Sequence, residues 1–164
     1  MASGATLFSA TARGAELPAA NYARFSTTNV QVGLNFDPNA NQTGYVPGVL
    51  SRNYGGGGIT ATIFYIMASA TAGNVVWGLA FERHQDGVDN LTADSFAAER
   101  TVTSGVPATA GIIKYATIAF TNGAQIDSLA VGESFRLKLR RVADDAGDTA
   151  VGDATLIRLE LKET

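Results

Sequence analysis

The chain has one histidine, His84, in the run Glu82-Arg83-His84-Gln85-Asp86. On an extended strand alternate residues share a face, so Glu82, His84 and Asp86 would project together. An imidazole between two carboxylates is a candidate general base or metal ligand. There is no second histidine and no cysteine, so the set falls short of the ordinary zinc sites. The simpler reading is a polar rim at a strand end. Asp144, Asp145, Asp148 and Asp153 form an acidic stretch. Calcium favours such oxygen clusters, but the spacing is not that of a helix-loop-helix site and no late bidentate glutamate follows. Gly55 to Gly58 would suit a phosphate cradle only with a Gly-Lys-Ser/Thr and a helix behind them. They lead instead into ITATIFYI, as a flexible or tightly packed entry to a strand. No Gly-x-Ser-x-Gly elbow is present, and Ser-His-Asp chemistry would have to draw on His84. A carboxylate pair ~5–9 Å apart would serve glycoside hydrolysis, but the sequence singles out no such pair. The expectation is a non-enzyme with no catalytic residues, no cofactor and no metal ligand, the acidic stretch being the one place where a cation is an open alternative.

The clearest charged feature is the stripe Arg136, Lys138, Arg140, which alternates with Phe135, Leu137 and Leu139. If the last two strands pair with apolar faces matched, Arg136 lies opposite Glu160 and Lys138 opposite Arg158. The second pair is a like-charge contact, easier to accept under an acidic partner. Arg136, Lys138, Arg140 and Arg158 are therefore the candidate protein interface; the alternative is a solvated outer face. Charge reversal at Arg136 and Arg140 would test this by loss of partner binding.

The elements that must carry these residues are strands. A period of two runs through 59–69, 75–84, 112–121, 134–142 and 155–162, with strand lengths and half-buried patterning. Residues 28–36 alternate in the same way, and Tyr45 to Leu50 is a short run broken by Pro47. Residues 94–103 are ambiguous between helix and strand and are taken as strand. Thr71-Ala72-Gly73-Asn74 reads as a hairpin turn, and Asp86-Gly87, Asn122-Gly123 and the 144–153 loop are further turn chemistry. Seven or eight antiparallel strands with such punctuation predict an all-β fold, an antiparallel β-sandwich of jelly-roll type over 28–164. The expected core includes Phe64, Trp77, Phe81, Phe120 and Phe135. Residues 1–27, rich in Ala, Ser and Thr without pattern, are expected to form an extended N-terminal arm.

Composition narrows the function classes. Net charge is −3, not the basic balance of nucleic-acid binding. No run approaches the ~18 or more apolar residues of a membrane-spanning helix. The opening residues lack the basic-then-apolar pattern of a signal peptide, so synthesis in a cytoplasm is expected. Only 16% of residues are charged, against about 25% on average, which favours surfaces that contact other protein.

The stretch Asn53-Tyr54-Gly55-Gly56-Gly57, ITATIFYIMASATAGNVVWGLAFER and the closing SLAVGESFRLKLRRVADDAGDTAVGDATLIRLELKET resemble a family of tailed-bacteriophage virion structural proteins. The resemblance covers 28–164. It implies a jelly-roll-like sandwich, occurrence as capsid cement (decoration) protein or tail-fibre tip, and homotrimers. It implies no catalytic residue; Trp77, Arg83, Arg136 and Asp153 match as structural positions. The short chain and its arm favour a cement protein on the virion capsid surface, bound to the major capsid protein across capsomer junctions, with no direct nucleic acid and no membrane. The alternative is a receptor-binding tail tip recognising host surface glycan, with Tyr45, Tyr54 and the acidic loop as candidate contacts.

Overall fold

The computed structural model describes residues 4–164. Ten strands occur among them: β1 Thr6–Thr11, β2 Arg24–Thr28, β3 Gln31–Phe36, β4 Gln42–Val49, β5 Ile59–Met67, β6 Asn74–His84, β7 Arg100–Gly105, β8 Lys114–Phe120, β9 Ser134–Arg141 and β10 Ala154–Glu163. They form two antiparallel sheets, one of six strands in the order β2-β3-β10-β5-β8 with β1 also on β10, the other β4-β9-β6-β7. The result is a jelly-roll-like β-sandwich. Apolar residues at alternate positions face the space between the sheets. Trp77, Phe81 and Phe135 from one sheet meet Tyr65, Phe36 and Phe120 from the other, all nearly fully buried. The rings meet edge to face: Phe36–Trp77 at 5.1 Å, Tyr65–Trp77 at 5.4 Å and Phe81–Phe120 at 4.9 Å between centroids. Phe64, expected in this core, instead points outward, because it has the opposite parity to Ile63 and Tyr65 on β5.

Three expectations about strand pairing and the N-terminal segment are also corrected. The Thr71–Asn74 turn is not a hairpin: β5 pairs with β10 and β8, β6 with β9 and β7, so the turn carries the chain between sheets. The last two strands are not neighbours either. β9 lies between β4 and β6, while β10 lies in the other sheet. Arg136 is opposite Glu82 and Pro47, and Arg158 is opposite Phe64 and Thr11. The like-charge contact that motivated the interface does not form. Finally, the described residues 4–27 are not an arm awaiting a partner. Within the described part, β1 pairs with β10, β2 pairs with β3, and Leu7, Ala12 and Ala23 are buried. Between them, Glu16 and Tyr22 bridge to Tyr45 and Thr43 along the free edge of β4. On that edge Pro47, of the same parity, lacks only a donor that no ladder needs.

Residues 94–99 are loop, and strand begins at Arg100. The 85–99 segment folds over the outer face of the four-stranded sheet, which is why β6 is buried on both faces. Gly78 permits this cover: a Cβ there would lie 2.7 Å from the Glu99 carboxylate.

Candidate functional site

On the four-stranded sheet the stripe Arg136-Lys138-Arg140 is already occupied by the chain itself. Arg136 donates to Glu82 at 2.6 and 2.9 Å and to Asp94 at 2.8 Å. Its guanidinium lies 4.8 Å from the Tyr45 ring and 5.2 Å from Phe96, which stack on each other. Burial opposes the charge on Arg136, but Glu82 and Asp94 together outweigh it and hold the pKa above the ordinary guanidinium value. Arg140 donates to both oxygens of Glu99, which raises its pKa too. Lys138 lies 5.0 Å from the Phe96 ring. Burial, then Asp94, pushes the Tyr45 hydroxyl up. Three of the four predicted interface residues thus sit under the 85–99 segment.

His84 shares its face with Glu82, as its parity requires. Its Nδ1 is 3.4 Å from Ser134 Oγ and its Nε2 3.4 Å from Glu82 Oε2. The row resembles a nucleophile, base and orienting acid, but Glu82 is committed to Arg136 and to the Ser95 N–H. Both contacts to the imidazole are longer than a working proton-transfer pair. Among the described residues no group of three or more His, Cys, Asp or Glu side chains is arranged to hold a metal ion.

The acidic loop is a structural lock. Asp148 accepts from Arg141 Nη2 at 2.6 Å and Nε at 2.9 Å and from the Val76 N–H. Arg141, fully buried, also donates to the carbonyls of Ala150 and Gly152. Asp145 caps the turn at Gly147, and Asp153 lies beside Asn35. Tyr54 is buried and donates to Gly57 O, and burial, then Glu163, raises its pKa. The glycine run is tightly packed: Gly55 and Gly57 N–H groups both bond Glu163 Oε1, and a Cβ on Gly58 would meet Phe120 O at 2.9 Å. Tyr54 and Asp148 are therefore not free to meet a ligand.

The open surface is the outer face of the six-stranded sheet. Register aligns side chains there in rows across the strands. One row reads Thr11, Arg158, Phe64, Tyr115, and the next Ser9, Glu160, Thr62, Thr117. Tyr115 is 58% exposed. Its ring meets Phe64 at 4.4 Å between centroids and 63° between planes. Arg158, Thr117 and Lys162 are exposed, and Thr62 and Glu160 half-buried. Among the described residues neither Arg158 nor Lys162 has an ion-pair partner, whereas Arg83, Arg136, Arg140 and Arg141 on the other sheet all do. Sequence reading found Arg158 but missed Phe64 and Tyr115. Tyr115's exposure follows from the parity of IIKYATIAF, with Ala116 and Ile118 inward.

No known family's sequence pattern matches the chain, and no curated protein matches it, so the resemblance to phage virion proteins stands on its quoted motifs alone. Solved structures do match in fold. The C-terminal CBM6 of a marine laminarinase from Zobellia galactanivorans superposes with a TM-score of 0.50 at 9% identity, over 95% of this chain and 98% of that one. The CBM22-2 xylan-binding domain of Xyn10C from Paenibacillus barcinonensis gives 0.50 at 12% identity, over 96% and 99%. At such identities the likeness is one of fold: this chain has the β-sandwich that these modules also have.

Proposed function

We propose that this chain is a non-catalytic glycan-binding β-sandwich, and that in a virion it serves the tail as a receptor-reading tip. The observation that carries the reading is exposed Tyr115 packed on half-buried Phe64 on an open sheet face, among Arg158, Glu160, Thr62 and Thr117. A sugar ring offers an apolar face of C–H groups and a belt of hydroxyls. An aromatic ring takes the first, and guanidinium, carboxylate and hydroxyl groups take the second. The fold shared with a xylan-binding domain supports the same reading. The preference for a capsid-surface cement leaned on a free N-terminal arm, and that segment belongs to the chain's own sheets, so its weight moves to the tail alternative. The homotrimer stays part of the proposal through the sequence resemblance. Three weak sites on one particle would add avidity.

Affinity electrophoresis against a panel of bacterial surface polysaccharides tests it. The wild-type chain is expected to be retarded by at least one. Tyr115→Ala is expected to lose about tenfold in affinity while unfolding within about 1 kcal/mol of wild type. Equal retardation of the variant would remove the site.

A further inference from the structure

β1 and β3 share one edge of β10 end to end: β3 pairs with Ala154–Leu156 and β1 with Arg158–Lys162, with a bulge at Ile157. Only Leu34–Phe36 of β3 pair with β10; Gln31 and Val32 stay paired with β2, while Thr11 of β1 takes the place beside Arg158. At this divergence lies a groove of about 320 Å³ lined by Thr11, Arg13, Val30, Gln31, Val32 and Arg158. Two arginines and no carboxylate line it. Among the described residues neither Arg13 nor Arg158 is ion-paired, although the chain as a whole is acidic. Arg13 is held at the rim by the short turn of 3-10 helix Ala12–Gly14, whose Ala12 is buried. The opposite lip is the β2–β3 turn, where Asn29 and Val30 both have positive φ and Val30 is 90% exposed. A β-branched residue in the left-handed region is strained, and such strain concentrates at ligand sites. Arg158 also neighbours Phe64 in the aromatic row.

We infer that this groove binds the acid group, carboxylate or sulfate, of an acidic glycan whose adjoining sugar lies on Tyr115. The inference rests on the glycan-binding reading and names its substrate class. A guanidinium pair is the arrangement that takes a two- or three-oxygen anion with parallel hydrogen bonds, and a neutral polymer would leave it unused. Affinity electrophoresis in gels of polygalacturonate, dextran sulfate, and neutral dextran or galactomannan reads it directly. A chain of negative net charge is not drawn into a polyanion gel by its overall field, so retardation there reports a site. Wild type is expected to be retarded by polygalacturonate or dextran sulfate more than by the neutral gels, and whichever polyanion is preferred identifies carboxylate or sulfate. The double variant R13Q/R158Q is expected to lose about tenfold or more in that gel, with a weaker dependence on salt, while the single variant R13Q, outside the Arg158–Phe64–Tyr115 row, is expected to keep any neutral binding. Tyr115→Ala is expected to weaken both. Retardation by neutral gels alone would overturn the acid-group inference and leave the glycan reading standing. Equal retardation of R13Q/R158Q and wild type by a polyanion would place the anion elsewhere and overturn it as well. Loss in R13Q/R158Q with Tyr115→Ala unchanged would keep the groove and remove the aromatic platform. No retardation by any gel would overturn both readings.

Discussion

Arg141 and Asp148 show how a charged pair holds this fold. They are 0% and 2% exposed, and the guanidinium also ties down the carbonyls that carry the chain from β9 to β10. Removing one partner strands the other in the core, so Asp148→Ala is expected to cost about 3–5 kcal/mol in urea unfolding; a loss under about 1 kcal/mol would show that the pair is not needed. Val30 is the opposite case, a residue the fold tolerates at a cost. At φ +64 it occupies the second central position of a two-residue hairpin, where glycine is preferred. Val30→Gly is expected to raise stability by about 1 kcal/mol, read as a higher melting temperature. At this scale the sequence was partly legible. The acidic loop and the basic stripe were visible as charges, but which acid meets which base depends on pairing across distant strands. Glu99 and Asp94 reach Arg140 and Arg136 only because 85–99 folds back over the sheet.

Strands were the most legible element, because a half-buried strand writes its alternation into the chain. The runs 59–69, 75–84, 134–142 and 155–162 match β5, β6, β9 and β10 within two residues. Their partners were not legible: parity fixes which face is inward, not which strand lies alongside. That is why the Thr71–Asn74 turn passed for a hairpin, and why Arg158 was placed beside Lys138. Strands β1 and β2 were missed because small and polar residues leave little alternation to read, although Leu7 is buried. The consequence is testable. Deleting residues 1–27 removes β1 and β2 and bares an edge of β10, so the truncated chain is expected to lose its cooperative thermal transition; an unchanged melt would restore the arm. Phe135 is the corresponding probe within the sandwich. It is fully buried and meets Phe8 edge to face at 5.1 Å, and Phe135→Ala is expected to cost about 3–5 kcal/mol in denaturant unfolding.

The whole molecule divides its surfaces between its two sheets. The four-stranded sheet is covered by its own loop, whose Asp94 and Glu99 pair with Arg136 and Arg140. The six-stranded sheet presents Tyr115, Phe64 and unpaired arginines to solvent. This asymmetry was not legible in the sequence, since both sheets carry basic residues at outward positions and only the fold of 85–99 tells them apart. On the proposed glycan-binding reading, one face is the recognition surface and the other the braced back. Backbone amide chemical shifts of the labelled chain, recorded while titrating in the polysaccharide that retards it, test this directly. The account predicts shifts concentrated on the outward positions of β5, β8 and β10, with Thr62, Tyr115, Thr117 and Arg158 at their centre and Tyr45, Phe96 and Lys138 unmoved. Shifts centred on the 85–99 segment and β9, with the six-stranded sheet silent, would contradict it.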